Sequence, residues 1–451
     1  MNSRKSPSSA RRLIWFVAMI APSSIGDNVA SAQTPAPAAP GSAPDLIFKD
    51  GIEVPRIATE RAPHDPTIGT KNIDFWEGMT RKDPRGIIEH RELAGAYLAR
   101  QREHGDIADA VRAEAAARKS LTISSRNNSG SAIRLAQALL AQHRFPEALA
   151  VAEAAARADS KAERIVIDIR LELGDYDLAT QALQTITTEP DDLNLLALRA
   201  RFEQIDGRPE QSLQLLREAA KITEGRPDMP AEVVAWYHTM IGHHLIDSGH
   251  LEDGETSCRK ALEIFPGDYR AMTGMAEAAT WRGDHAGALK WATDAIKIAP
   301  QNPEALRLAG EAYATMGKTK EAAEQYQALR DLAHSFPRIY DRHWVLFCAD
   351  NNQDLDEALA LARKDLELRH DIHGHDALAW ICYKKGLLEE ADREMTLALS
   401  RGTMEAPLMN HAAIIAKARG DEARSASLMA KARALNPYLV KAEEAAKTSI
   451  R

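Results

Sequence analysis

The sequence has few cysteines, few aromatic residues and no excess of positive charge. Its three cysteines, Cys258, Cys348 and Cys382, stand far apart within helical patterns. We therefore predict small buried side chains rather than a disulfide framework, with one pairing left open. Aromatic residues make up 5% of the 451 residues, and 57 basic against 65 acidic residues give a net charge of −8. Because an acidic chain without a basic patch disfavours nonspecific binding to nucleic acid, we predict no nucleic-acid partner.

Long apolar runs are also missing. The N-terminal stretch LIWFVAMIA has nine residues, whereas a membrane-spanning helix needs about 20. Four basic residues precede this stretch, and Ala30-Ser31-Ala32 supplies the small residues typical of a cleavage site. We predict a Sec-type signal peptide over residues 1–32, cleaved after Ala32. The mature protein would then be periplasmic or secreted, without membrane insertion; an uncleaved anchor is the alternative.

The abundant residues are those that favour helices. Hydrophobic residues make up 45% of the chain and charged residues 27%, with many Ala and Leu, which indicates a mostly helical protein. Residues 33–45 are rich in Pro and Ala and are typical of a linker. Residues 46–70 have no sustained period and are predicted to be irregular. A short capping helix with Phe75 and Trp76 is predicted within 72–86, so that residues 33–88 precede the main fold.

From residue 89 onward the sequence repeats with a period close to 34. Gly249, Gly283 and Gly317 are 34 residues apart, as are Gly386 and Gly420. Small residues follow most of these glycines at fixed distances, and several units end with proline. A glycine can end a helix in the left-handed conformation, small residues let a second helix pack closely, and a proline stops that helix. Each unit is therefore predicted to be a pair of helices, A and B, that stacks on its neighbours.

These units resemble the tetratricopeptide repeat (TPR) family. The best matches are residues 235–268, 269–302 and 303–336. The family pattern Leu-Gly, Tyr, Gly, Ala, Tyr is followed in the third unit by Gly310, Tyr313, Gly317, Ala322 and Tyr326. Weaker units lie at about 91–124, 129–162, 160–193, 193–226, 339–372, 372–405 and 406–439.

The resemblance implies an all-α, right-handed superhelical solenoid of about ten helix-turn-helix units. A longer connection at 224–234 would divide it into a first arm, 89–226, and a second arm, 227–439. We expect the superhelix angle to change there and the arms to be partly independent. Residues 440–451 are predicted to form a C-terminal capping helix.

The resemblance also implies that helix A of each unit lines a concave groove. In the second arm, the implied positions carry aromatic and charged residues, which is the composition of binding hot spots. We expect these side chains to be exposed and to bind a partner. They are Trp236, His243, Arg270, Glu277, Trp281, Arg307, Glu311, Tyr340, His343, Phe347, His373, Asp376, Trp380, Tyr383 and Lys384.

The predicted function is a non-enzymatic protein–protein interaction scaffold of the cell envelope, which holds a peptide or protein segment in this groove. No cofactor, metal or catalytic residue is predicted. The alternative is a receptor for a small molecule, a glycan or a metal that uses the same aromatic and histidine surface. The stretch RHDIHGHD, which begins at Arg369, is interpreted as a junction between two units rather than as a metal site.

Overall fold

A short hairpin precedes the helices in the computed structural model. The structure describes the backbone of residues 46–49 and 52–55, residue 61, and residues 64–186 and 192–439. Strands β1 (Leu46–Lys49) and β2 (Ile52–Pro55) are antiparallel, with Lys49 opposite Ile52. This segment was predicted to be irregular. Asp-Gly between two β-prone runs is a strong hairpin signal, and Asp50-Gly51 stands between these strands. The predicted signal peptide, the 33–45 linker and the 440–451 helix lie outside the described residues.

Twenty-one α-helices follow in the described part of the chain. One helix, α1, precedes the pairs and packs on α2. The other twenty form ten A–B pairs, numbered pair 1 (α2 and α3) to pair 10 (α20 and α21), which confirms the all-α solenoid. Their bounds are α1 Ile68–Lys82, α2 Ile87–His104, α3 Ile107–Ile123, α4 Ser129–Ala141, α5 Phe145–Ala156, α6 Glu163–Leu173, α7 Tyr176–Thr185, α8 Leu193–Ile205, α9 Pro209–Glu224, α10 Ala231–Asp247, α11 Leu251–Ile264, α12 Tyr269–Arg282, α13 His285–Ile298, α14 Pro303–Thr315, α15 Thr319–Ser335, α16 Asp341–Asn351, α17 Leu355–Leu366, α18 Ile372–Lys384, α19 Leu388–Ala398, α20 Ala406–Ala418 and α21 Glu422–Leu435, with a 3-10 turn at Ser160–Ala162.

The A helices form an inner layer and the B helices an outer layer. In α10, 14 of 17 residues are buried, and in α18, 10 of 13. In α13, by contrast, only Ala288, Ala292 and Ala295 are buried. A helix that is buried on most sides lies inside the protein, whereas a helix with one narrow buried stripe lies at the surface. The spacing of these three alanines places them on one face, where their small side chains let helix A approach.

The connection between helices A and B uses the left-handed backbone conformation that the glycine spacing predicted. Gly283 has φ +78°, and its N–H donates to the carbonyl of Thr280. The backbone N–H of Asp284 donates to the carbonyl of Ala279, and the side chain of Asp284 caps α13 by accepting from the N–H of Gly287. This arrangement satisfies the last carbonyls of α12 and the first N–H groups of α13, so the chain reverses within two residues.

The superhelix is wound so tightly that its successive turns touch. Pairs 1–5, the first superhelical turn, contact pairs 6–10, the second superhelical turn, at a nearly constant sequence separation of 189 to 198 residues. In each contact the A–B connection of one early pair meets the loop that precedes or follows a late pair. The joined residues are Ile107 with Gln301, His143 with Arg338, Leu173 with His370, Ile205 with Thr403, and Asp247 with Asn436.

The two predicted arms are therefore not independent. Ile107 from the first arm belongs to a hydrophobic cluster made otherwise of second-arm residues, and Ile372 belongs to a cluster of first-arm residues. The longer connection at 224–234 is also held in place. The Arg61 side chain donates to the carbonyls of Thr223, Arg226 and Met229 at 2.9 to 3.2 Å. The expectation of separate arms fails because sequence spacing does not report contacts between superhelical turns.

Candidate partner-binding surface

Ten of the fifteen predicted binding residues are buried. The expectation that they are exposed is therefore wrong, whereas a binding role for the predicted residues stays a prediction. The buried residues are Trp236, His243, Arg270, Glu277, Arg307, Tyr340, Phe347, His373, Asp376 and Trp380. The remaining five are partly buried, and they are Trp281, Glu311, His343, Tyr383 and Lys384.

Tight winding explains this burial, because successive A helices close over the concave face. Charged side chains on that face form ion pairs with one another, as Arg307 illustrates. Arg307 lies between Glu304 and Glu311 on its own helix, with Nη1 at 2.5 Å from Oε1 of Glu311. Burial opposes the charged form, but the two carboxylates outweigh it and raise the pKa of Arg307 well above its usual value. This guanidinium is thus engaged within the protein.

A group of four side chains, of which Asp376, Trp380 and His411 are buried and Asp350 is partly buried, joins α16, α18 and α20. The ring of Trp380 stacks on that of His411 with centroids 4.0 Å apart, and Nδ1 of His411 lies 3.0 Å from a carboxylate oxygen of Asp376. Nε1 of Trp380 donates to Asp350 at 2.9 Å. Burial raises the pKa of Asp350 to about 7, although the Trp380 hydrogen bond opposes this change. The group fixes the register of three consecutive A helices.

Sequence reasoning did not include His411 among the candidates. The signal was present, since His411 follows Asp376 by 35 residues and Trp380 follows Asp350 by 30. Positions about one repeat apart lie on neighbouring A helices and face each other. Complementary polar residues at that separation therefore predict buried pairs rather than exposed binding groups.

The histidine-rich junction separates into three unrelated contacts. The backbone N–H of His370 donates to the carbonyl of Leu173 at 2.7 Å, whereas His373 lies 3.2 Å from Glu405 and His375 lies 2.9 Å from Glu394. Within residues 64–186 and 192–439, no three His, Cys, Asp or Glu side chains are placed to share a metal ion. The stretch lies between α17 and α18 and continues into α18, so it connects pair 8 to pair 9.

Charged side chains also surround a small cavity between the two superhelical turns. Its volume of about 20 Å³ has room for a water molecule. It is lined by Leu171, Glu172, Tyr176, Arg201, Gln204 and Ile205 from the first turn and by Asp371, His373 and Glu405 from the second. Burial raises the pKa of Glu172 to about 7; Arg201 opposes this and Asp168 adds to it.

The layer of A helices stays partly accessible at one edge of the second superhelical turn. This open edge consists of the C-terminal ends of the A helices in pairs 6–10 and their A–B connections. Trp281, Tyr383 and Lys384 lie at these helix ends, while Met316 and Leu387 are exposed in the connections. Four of these pairs have a glycine in the connection that faces open space. If a Cβ were added there, the described residues would place no atom within 4 Å of it, apart from those of its chain neighbours. These glycines are Gly283, Gly317, Gly386 and Gly420.

The fold defines a solenoid of paired helices, and comparison with known proteins identifies its class. A tetratricopeptide repeat model matches residues 239–303, which span most of pairs 5 and 6. The match identifies residues 239–303 as tetratricopeptide repeats. No curated protein matches the sequence significantly.

Two solved structures are similar to most of the chain. One is yeast Tom70, at 14% identity and TM-score 0.37, with 85% of this chain and 93% of that chain covered. The other is the APC/C hetero-tetramer Cut9-Hcn1, at 12% identity and TM-score 0.33, with 84% and 93% covered. Similarity at this level carries no inference about what this chain binds. In the described residues, no helix combines the length and the apolar character that a membrane crossing requires.

Proposed function

We propose that this protein is a non-enzymatic scaffold of the cell envelope, exported by its signal peptide, which binds a peptide or protein segment along the open edge of the second superhelical turn. TPR repeats are typical of protein–protein interaction scaffolds. The observation that carries the proposal is the position of Trp281, Tyr383 and Lys384. They are the predicted binding residues that stay partly accessible at that edge.

The chemistry of the open edge suits a polypeptide partner. Met316 is 42% exposed and Leu387 is 38% exposed, so each offers apolar area between charged residues. Nζ of Lys384 lies 4.7 Å from the ring centroid of Trp380, and Nζ of Lys318 lies 5.8 Å from that of Tyr313. Apolar contacts interleaved with cations held over aromatic rings would bind a segment that carries both apolar and acidic side chains.

Among the described residues, the receptor alternative has no comparable support. The cavity between the superhelical turns has the volume of a water molecule, about 20 Å³, which is far below the size of a small-molecule pocket. The histidines of the junction point to different carboxylates, Glu394 and Glu405. A surface for a polypeptide therefore remains the function that the geometry favours.

Affinity capture tests the proposal. The immobilised mature chain would be exposed to a solubilised envelope fraction, and bound proteins would be compared between the wild type, Trp281→Ala/Tyr383→Ala and Phe75→Ala. Phe75 is a matched control because it is an aromatic residue 53% exposed on α1, far from the open edge in sequence. We expect the double variant to bind its partner more than about tenfold more weakly.

The control variant should bind like the wild type. Each variant would first be checked for unchanged helical content by circular dichroism. Equal capture by the folded double variant and the wild type would remove the open edge from consideration as the binding surface.

A further inference from the structure

The contact between the two superhelical turns combines apolar residues, Ile107 and Ile372, with a set of polar contacts. Within a turn, neighbouring A helices are joined by apolar clusters. Between the turns, the carbonyls of Leu173 and Ile205 accept hydrogen bonds from the backbone of His370 and the hydroxyl of Thr403, and Asp206 binds Arg401 at 2.6 Å. In these three contacts the acceptors lie at the C-terminal ends of first-turn A helices and the donors lie in second-turn loops, whereas the N–H of Ile107 in the first turn donates to Gln301.

This inter-turn interface is not fully complementary. Nε of Arg201 and Oε1 of Gln204 are buried beside the cavity without a hydrogen-bond partner in the described part of the chain. Unsatisfied buried polar atoms are costly, and they regain hydrogen bonds when water reaches them. Separation of the turns would therefore hydrate these groups, and of the clustered apolar side chains it would uncover Ile107 and Ile372.

A solenoid can separate its turns with little change in any one unit. Each pair packs mainly on its direct neighbours, so small changes in the angle between successive pairs add up along the array. Such a motion would undock the loops around Arg401 and Thr403 from the first turn. The helices α6 and α8 would then present the carbonyls of Leu173 and Ile205 with Asp206 to solvent.

We propose that this edge of the first superhelical turn is a second interaction surface, which the chain's own loops occupy in the closed form. Its partner is a polypeptide segment that presents hydrogen-bond donors and a guanidinium group, because those are the groups that the loops supply. The internal loops act as a competing ligand, and binding requires the turns to separate. The inference concerns an edge other than the open edge and does not depend on the proposed function.

The glycines of the A–B connections provide a matched test. A Cβ at Gly207 would lie 2.1 Å from the carbonyl oxygen of Gly402, and a Cβ at Gly174 would lie 2.4 Å from the backbone of His370. Gly283 and Gly317 occupy the same position in their pairs, with similar φ values of +78° and +76°. They are on the open edge, where an added Cβ has space.

The variants Gly174→Ala/Gly207→Ala and Gly283→Ala/Gly317→Ala therefore carry comparable backbone strain, but only the first pair wedges the turns apart. Small-angle X-ray scattering of the full mature chain should give a larger radius of gyration for the first variant, with unchanged helicity. A fluorescent peptide of residues 396–408, which contains Arg401 and Thr403, should bind that variant. It should not bind the control variant.

A second variant tests the same proposal if the glycine variant does not fold. Arg401→Ala removes the ion pairs to Asp206 and Asp177 across the interface, and Arg363→Ala is its control because Arg363 pairs with Glu390 within the second turn. Arg401→Ala should bind the peptide more tightly than Arg363→Ala does. An unchanged radius of gyration, a loss of helicity in both interface variants, or equal binding of a peptide with Arg401→Ala and Thr403→Ala would each overturn the proposal.

Discussion

Replacement of Trp380 by alanine should destabilise the protein rather than only weaken partner binding. Trp380 is 1% exposed, stacks on His411 and donates a hydrogen bond to Asp350. Loss of a buried tryptophan side chain costs about 3–5 kcal/mol. A buried carboxyl group that loses its donor adds roughly 1–3 kcal/mol, although the two effects share a site and do not simply add. We expect a decrease of about 4–6 kcal/mol in the free energy of unfolding.

Urea unfolding followed by circular dichroism measures this decrease, and two further variants divide it. Trp380→Phe keeps an aromatic ring against His411 but loses the hydrogen bond, so we expect a smaller cost of about 1–3 kcal/mol. Trp281→Ala should cost less than Trp380→Ala because Trp281 is only partly buried. Equal unfolding midpoints for Trp380→Ala and the wild type would refute the burial argument and would return Trp380 to the set of exposed binding residues.

Two other substitutions test the charge network. The pKa of Glu172 is raised from 4.5 to about 7. The contribution of Glu172 to stability is therefore full below pH 4.5 and is lost as the pH rises to about 7. Glu172→Gln, with Arg201 and Asp168 unchanged, should remove this loss of roughly 3 kcal/mol in unfolding curves measured across that pH range. Arg342→Ala should lower the free energy of unfolding by about 3–5 kcal/mol, since it removes the guanidinium that pairs with both Asp365 and Asp371 and leaves Asp371 with Arg369 at 3.9 Å; a cost below about 1 kcal/mol would contradict this role.

The helix pairs could be predicted because their signals are local. The spacing of Gly249, Gly283 and Gly317 follows from the turn that each helix pair needs, and the alanines of α13 follow from close packing of helix B on helix A. The hairpin at β1 and β2 was missed although Asp50-Gly51 is also a local signal. Residues 46–70 have no sustained period, and strands of four residues are too short to show one.

The candidate binding surface was predicted less well, for a reason that concerns distance along the chain. A residue on helix A faces the concave side whether that side is open or closed. Its exposure depends on the curvature of the superhelix and on contacts almost 200 residues away, such as Thr403 with Ile205. Asp376 illustrates the result, since it was predicted to be an exposed binding group but forms a fully buried pair with His411.

The sequence by itself determined the repeat unit: its length, its two helices, its left-handed turn and the stacking of ten copies. These features depend on backbone conformation and side-chain size within a few dozen residues. Only the tertiary structure decided how tightly the copies wind, and with it which edge is covered and which remains open. Small differences in the packing angle between neighbouring pairs accumulate over five pairs, so the contact between superhelical turns belongs to the whole array rather than to any one repeat.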